Sequence, residues 1–385
     1  MEAGERSEPG GELALTLGGG GARGAYQLGL LRHLARRFPE LEVPILTGVS
    51  AGGINAAFLA NHTGTFVQKV EALLEWWRAI TVDQVFRVDG ASLLSHVVRG
   101  LAQLSWFGGR RGSQPIRGMV DTAPLRKLLE RGLADGARGD LSGIESNLTQ
   151  RDLRAVALTT TRYDTGQTVV WTQGRDIALW KRPQRLARAG DLRVEHVMAS
   201  AALPWLFPAV RIGKNWYGDG GVRLHAPLAP AIHLGADRIL AISTRYGRSD
   251  AEVDLTKTDL YPAPAQVAGI LLNSIFLDLL DQDAHNLERV NSLLARVPEE
   301  QHGDLRPIDL LVLRPSLDLG KLANEYEPSL PPLFRFLTRR LGTKASRNQD
   351  LMSLIMFQPD YIEQLIATGE RDAEERAEEI SQFLS

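Results

Sequence analysis

The chain has 385 residues, 44% hydrophobic and 23% charged, with a net charge of −2 and no cysteine. That length allows one large domain or two with a substantial buried core, and the balanced charge gives no electrostatic reason to expect nucleic acid. Without cysteine, disulfides, thiolate catalysis and cysteine-based metal sites are excluded. No stretch approaches 18 uninterrupted apolar residues, so no transmembrane helix is expected. Residues 1–11 are polar and glycine-rich, without the apolar centre of a secretory signal. The expectation is a soluble, cytoplasmic protein, with contact at a membrane surface left open.

In chain order, the apolar run Leu13–Leu17 predicts a strand, and Gly18–Gly21 a loop leading into a helix from Ala22 to Phe38. Leu28, Leu31, Ala35 and Phe38 share one face of that helix, and Pro39 ends it. A second strand is predicted over Val43–Thr47 and a second helix over Ala51–Asn61, with a third over residues 64–80. Residues 90–120 carry four arginines and no acid, with Leu94, Val97, Val98, Leu101 and Leu104 near helical spacing ahead of Trp106 and Phe107. That is the composition of an interfacial helix, although the same apolar residues suit a core. Residues 121–134 read as a helix, 153–160 and 168–172 as strands, and 174–193 as a polar, arginine-rich connection. A short helix over 194–202, a helix near 226–234 and a strand over 238–243 follow. The remainder reads as mostly helical, apart from a strand over 308–313, and acidic residues 370–379 as a solvated helix face. Alternating strands and helices imply a mainly parallel sheet covered on both faces, with its site at the carboxyl ends of the strands.

The chemistry concentrates at Gly48-Val49-Ser50-Ala51-Gly52, directly after the second strand. A strand turning sharply into a helix, with serine at the turn, exposes a hydroxyl as a nucleophile. The plainer reading is a serine that only caps the helix. Gly18–Gly21 weighs against it, because a glycine loop can aim backbone N–H groups at the oxyanion formed when serine attacks an ester. Gly19, Gly21 and Gly24 also fit a dinucleotide turn. That turn would place an acidic residue at the end of the second strand, where this chain has Gly48-Val49-Ser50, and no Lys-Ser or Lys-Thr follows the loop to make a phosphate-binding loop. A nucleophilic serine needs a base. His196, His225 and His233 are candidates without a local signature. Asp219, within Tyr217-Gly218-Asp219-Gly220-Gly221, lies in a turn that leaves its carboxylate open, although turn aspartates often serve only their own backbone.

Three segments together resemble the patatin-like phospholipases: Gly19-Gly20-Gly21-Ala22-Arg23-Gly24, Gly48-Val49-Ser50-Ala51-Gly52 and Asp219-Gly220-Gly221. Ala199-Ser200-Ala201-Ala202-Leu203-Pro204, Pro227 and Gly235-Ala236-Asp237 extend the likeness, which covers roughly residues 12 to 245. Many members carry aspartate where this chain has Gly18. The resemblance implies a three-layer α/β/α fold with a mainly parallel central sheet and a largely helical C-terminal extension. It divides the chain into a flexible N-terminus (1–11), a catalytic domain (12–245) and a mostly helical remainder (246–385). It further implies a Ser50–Asp219 dyad and an oxyanion hole at Gly19, Gly20 and Gly21, with Arg23 either orienting the loop or meeting a lipid phosphate. The implied activity is hydrolysis of a phospholipid or lysophospholipid ester through an acyl-enzyme, with no metal or organic cofactor. Acyl transfer is the variant outcome when an alcohol replaces water. The rival expectation is a catalytically silent lipid-binding or regulatory protein of the same fold.

Overall fold

Short strands that are apolar on both sides must be covered on both faces, and the first strand shows the rule. In β1 (Leu13–Leu17), Leu13, Leu15 and Leu17 enter one core, whereas Ala14 enters a second core on the opposite side. The computed structural model describes residues 11–87, 120–134, 136, 138–247, 279–326, 328 and 349–385. The interfacial helix expected within 90–120 thus lies outside the described residues, Val120 excepted.

The other strands are β2 (Ile45–Val49), β3 (Ala155–Arg162), β4 (Thr168–Gly174), β5 (Lys181–Arg182), β6 (Arg185–Ala189), β7 (Val210–Ile212), β8 (Asn215–Asp219), β9 (Arg238–Ile242) and β10 (Asp309–Leu313). They form one sheet in the order β10-β9-β1-β2-β3-β4-β6-β5, with β8 pairing β3 and β7 pairing β8. From β10 to β3 every pairing is parallel; β4 and β8 run antiparallel to β3. The mainly parallel α/β sheet anticipated from the sequence is therefore present, and C-terminal β10 closes one edge of it.

On the larger core side lie α1 (Gly24–Arg37), α2 (Ala51–Asn61), α3 (Phe66–Arg78), α4 (Ala123–Leu133) and α5 (Val194–Ser200). The short α6 (Ala229–His233) and α7 (Leu279–Leu294) supply the opposite core through residues such as Ala231, Leu280 and Leu287. α3 starts later than the apolar spacing suggested because Thr65 and Gln68 form a reciprocal capping box. Two further helices, α8 (Gln349–Ile355) and α9 (Pro359–Glu375), return to the first motif.

α1 and α9 cross where glycine faces glycine. A Cβ on Gly29 would overlap the Ile366 carbonyl oxygen, and one on Gly369 the Tyr26 carbonyl oxygen. Beside the crossing, the Tyr26 hydroxyl donates to Asp372 Oδ2 at 2.9 Å, and the Ser316 hydroxyl donates to Oδ1 at 2.6 Å. Acidic residues 370–379 are therefore more than a solvated face: Asp372 is buried, and Glu370 meets Arg32 and Arg36 of α1.

Three differences from the sequence reading have local causes. β2 begins two residues late because Pro44, which has no N–H, sits at its head and accepts from Arg154 and Ala155 N–H instead. The connection over 174–193 contains the paired edge strands β5 and β6, in which Lys181, Arg182 and Arg188 are exposed. Cations suit a sheet edge because they discourage further pairing, and they also hide the strand pattern. The β7–β8 hairpin turns at Gly213, whose φ of 60° needs no side chain to be accommodated.

The glycine crossing yields a stability prediction. Gly369→Val should destabilise the fold by about 1–3 kcal/mol, because α1 and α9 must separate to admit it. Urea unfolding measures this, and unchanged stability would contradict so close a crossing.

Candidate active site

Ser50 occupies the single residue between β2 and α2, with φ 55° and ψ −128°. A non-glycine residue held there costs on the order of 1–3 kcal/mol, so surrounding structure must enforce it. The enforcement is visible on both sides of the bend. A Cβ on Gly48 would strike the Gly52 carbonyl oxygen, and one on Gly52 the Leu17 carbonyl oxygen at the end of β1. The Ser50 N–H donates to Ser200 Oγ at 3.1 Å, and the Ser200 hydroxyl donates to the Thr159 carbonyl at 2.8 Å. The bend is thereby tied to α5 and β3, and Ser50 remains 8% exposed.

Asp219 reaches Ser50 through β3. Residues 155–159 of β3 pair with Ile45–Val49 of β2, and the next residues, 160–162, pair with Asp219, Gly218 and Tyr217 of β8. β2 and β8 therefore meet end to end along one neighbour, and the residue after Val49 stands beside the residue that ends β8. The Asp219 N–H donates to the Ala202 carbonyl at 3.0 Å, and Oδ1 accepts from the Gly221 N–H at 2.8 Å. Oδ2 is buried with no hydrogen-bond partner at normal distance among the described residues. Asp219 has no exposed surface, and burial pushes its pKa up to about 7, against smaller lowering by the Gly221 N–H and the Ser50 hydroxyl. The Ser50 hydroxyl thus favours the carboxylate from nearby without satisfying Oδ2 as a short hydrogen bond.

The glycine loop crosses the same end of the sheet. The Gly18 N–H donates to the Ile242 carbonyl at 3.0 Å, and Gln27 Nε2 donates to the Gly18 carbonyl at 2.8 Å. Gly20 has φ 151° and Gly21 φ 55°, values that suit glycine. No hydrogen bond among the described residues uses the N–H of Gly19 or Gly20. Gly19 lies against Ser50: a Cβ there would sit 3.8 Å from Oγ. From outside, the Thr244 hydroxyl donates to the Gly19 carbonyl, and the Leu354 carbonyl of α8 presses on Gly21. Arg23 is buried, and its Nε donates to Ser353 Oγ at 2.7 Å.

An apolar pocket opens beside Ser50, Gly20 and Gly21. Trp76 and Trp77 of α3, Leu125 and Leu128 of α4, Leu203, Leu206 and Phe207 after α5, and Leu354 and Phe357 line its walls. The Trp77 and Phe357 rings stack with centroids 6.3 Å apart, and Trp77 Nε1 donates to Asn55 Oδ1 at 2.7 Å, which fixes the ring. The histidine candidates lie elsewhere. His196 Nδ1 accepts from the Arg193 N–H, its ring packs on Trp171, and burial lowers its pKa to about 4. His233 stacks on Trp180, and His225 is exposed. Among the described residues no cluster of histidine, aspartate and glutamate has the spacing to hold a metal ion.

Sequence reasoning brought out Ser50, Asp219 and the glycines, and the fold gathers them at one end of the sheet. It quoted Ser200 only as part of a likeness and passed over Ser353 altogether, because no local pattern marks a residue acting across 330 positions of chain.

A family model described as patatin-like phospholipase matches residues 15–232, which contain the glycine loop, Ser50 and Asp219. No curated protein matches the chain. Among solved structures, VipD from Legionella pneumophila is 13% identical over 94% of this chain and 68% of that one, with a TM-score of 0.35. Human GIVD cytosolic phospholipase A2 is 11% identical over 97% of this chain and 60% of that one, with a TM-score of 0.47. The type III effector protein ExoU of Pseudomonas aeruginosa is 14% identical over 94% of this chain and 54% of that one, with a TM-score of 0.31. The chain thus spans less than two thirds of the length of the last two.

Burial of Asp219 has a thermodynamic signature. Its carboxyl binds a proton more tightly when folded, with a pKa of about 7 against 3.8, so stability falls as pH rises through that window, by about 4 kcal/mol in all. An asparagine at this position has no proton to titrate. Asp219→Asn should therefore gain melting temperature relative to the parent between pH 4 and pH 8, measured by calorimetry. A difference independent of pH would contradict the raised pKa.

Proposed function

The chain belongs to the patatin-like phospholipase family, and on that premise we propose that it is a lipid acyl hydrolase acting through Ser50 and Asp219. The observation that carries this reading is the buried Asp219 carboxylate, whose Oδ2 has no hydrogen-bond partner at normal distance among the described residues and lies beside the strained serine. A carboxylate with a pKa near 4 is a poor base at neutral pH, whereas one near 7 matches the task.

In this mechanism Ser50 Oγ attacks the ester carbonyl carbon while its proton passes to Asp219 Oδ2. The carbonyl oxygen becomes an oxyanion, held by N–H groups of Gly19, Gly20 and Gly21. Collapse breaks the bond to the leaving alcohol, which takes the proton from Asp219 and departs, leaving an acyl-Ser50 ester. Water then attacks that ester, Asp219 accepts its proton, and the second collapse returns the proton to Ser50 Oγ and releases the fatty acid. An alcohol in place of water gives acyl transfer.

The apolar pocket supports an acyl chain as the group beside Ser50, since no charged side chain lines it among the described residues. A phospholipid or lysophospholipid ester is accordingly the proposed substrate. Arg23 is assigned to orienting the loop, because its Nε is engaged by Ser353. Residues 12–245 carry the chemistry in this reading, and the C-terminal helices brace it. No described helix is long and apolar enough to cross a membrane; a cytoplasmic enzyme that visits the bilayer surface is part of the proposal. The proposed dyad chemistry uses neither a metal nor an organic cofactor. No observation favours a catalytically silent lipid binder.

Labelling with a fluorophosphonate and hydrolysis of a soluble ester test the assignment. Ser50→Ala should lose both, and Asp219→Asn should lose about 10²–10⁴-fold in hydrolysis, the usual contribution of a general base. His196→Ala, His225→Ala and His233→Ala should retain the base function. A histidine variant as damaged as Asp219→Asn would replace the dyad with a triad.

A further inference from the structure

All the exposed tyrosine, phenylalanine and tryptophan side chains among the described residues belong to two segments that approach the dyad, 205–216 leading into Asp219 and the residue that follows β3. Trp205 is 71% exposed, Trp216 46% and Tyr163 43%. The other exposed large apolar residues (Leu179, Leu293, Val297 and Leu305) are aliphatic and lie on other segments.

Strand register fixes where the aromatic residues sit along the ladder. β2 and β3 run toward the active-site end, and β8 runs back toward it from beyond. Thr160, Thr161 and Arg162 pair with Asp219, Gly218 and Tyr217 in turn, and the Tyr163 N–H donates to the Trp216 carbonyl at 2.9 Å. Trp216 thus lies three strand positions, about 10 Å, outward of Asp219. The β7–β8 hairpin therefore lies beyond the carboxyl end of β2, on the outward side of Asp219. Trp205 stands between Leu203 and Leu206, both of which line the pocket, while its own ring faces solvent. Its φ of 66° is an unfavourable conformation for a bulky residue, so the turn that displays it is held by its surroundings.

The same hairpin is cationic. Arg211 pairs in register with Trp216, Lys214 occupies the tip, and both are exposed. Neither has an ion-pair partner among the described residues, and the nearby Arg162 is already engaged by Asp164.

We propose that Trp205, Trp216 and Tyr163, with Arg211 and Lys214, form the surface that docks this protein on an anionic lipid bilayer. This inference rests on the proposed lipid hydrolase. Amphipathic aromatic rings are favoured at the headgroup level of a membrane, and unpaired cations are drawn to anionic headgroups. This rim adjoins the pocket through Trp205, which stands between the pocket-lining Leu203 and Leu206, and adjoins the dyad through β8, which ends at Asp219, so docking there brings the bilayer close to Ser50.

The test uses the full chain with Ser50→Ala, so that vesicles stay intact. Co-sedimentation is measured with phosphatidylcholine vesicles, with and without phosphatidylglycerol. The anionic vesicles should bind more tightly. Trp205→Ala with Trp216→Ala should weaken binding to both vesicle types roughly tenfold or more. Arg211→Gln with Lys214→Gln should remove only the anionic preference, about fivefold per cation. With Ser50 present, all these variants should hydrolyse a soluble short-chain ester at the parent rate.

Unchanged vesicle affinity in both double variants would overturn the docking surface. So would parent protein that hydrolyses the soluble ester yet binds no vesicle, an outcome that leaves the hydrolase reading standing. Vesicle binding that needs the rim, without any ester hydrolysis, would overturn the hydrolase reading alone. If Trp216→Ala damages folding, Trp205→Ala and the charge pair decide, since neither alters a buried contact.

Discussion

The site depends on one strand serving two partners in sequence along the same edge. β3 spends residues 155–159 on parallel pairing with β2 and residues 160–162 on antiparallel pairing with β8. Backbone hydrogen bonds are directional, and a slip of one residue in either ladder would turn the neighbouring side chains to the opposite face. The ladder therefore sets the approach of Ser50 to Asp219 more tightly than any side-chain contact does. Ser200 reinforces it by joining the Ser50 N–H to the Thr159 carbonyl, at the point where β3 changes partner.

Chemistry and stability pull against each other at Asp219. Burying this carboxylate costs about 4 kcal/mol at neutral pH, a sizeable part of the 5–15 kcal/mol typical of a folded domain. The same burial raises basicity. Strain at Ser50 adds to the cost, and two well-filled cores and the close α1–α9 crossing offset it. The C-terminal helices thus help to shape the candidate site: α8 presses on Gly21 and engages Arg23, and α9 packs on the helix that follows the glycine loop.

Features governed by neighbours in the chain were legible in the sequence. The bend at Ser50 announces itself through Gly48 and Gly52, because each glycine is required by the adjoining turn of backbone. β1 and β3 are legible because both faces are buried, and β10 because its apolar run is short and bounded. Features governed by distant partners were not. β5 and β6 look like a polar connection because edge strands carry cations, and the β7–β8 hairpin is too short to show alternation. Acidic residues 370–379 read as solvated because only the folded chain brings Tyr26 and Ser316 to Asp372. The cause of the raised basicity of Asp219, complete burial, is likewise a property of the packed site.

The central claim is that Asp219 takes the serine proton and that burial makes it able to. The pH dependence of kcat/KM for a soluble short-chain ester addresses it most directly. The account predicts a rising limb governed by one ionisation near pH 7, absent from the residual rate of Asp219→Asn and unmoved in His196→Ala, His225→Ala and His233→Ala. A rate already flat from pH 5 upward, or a limb that moves with a histidine substitution, would contradict it.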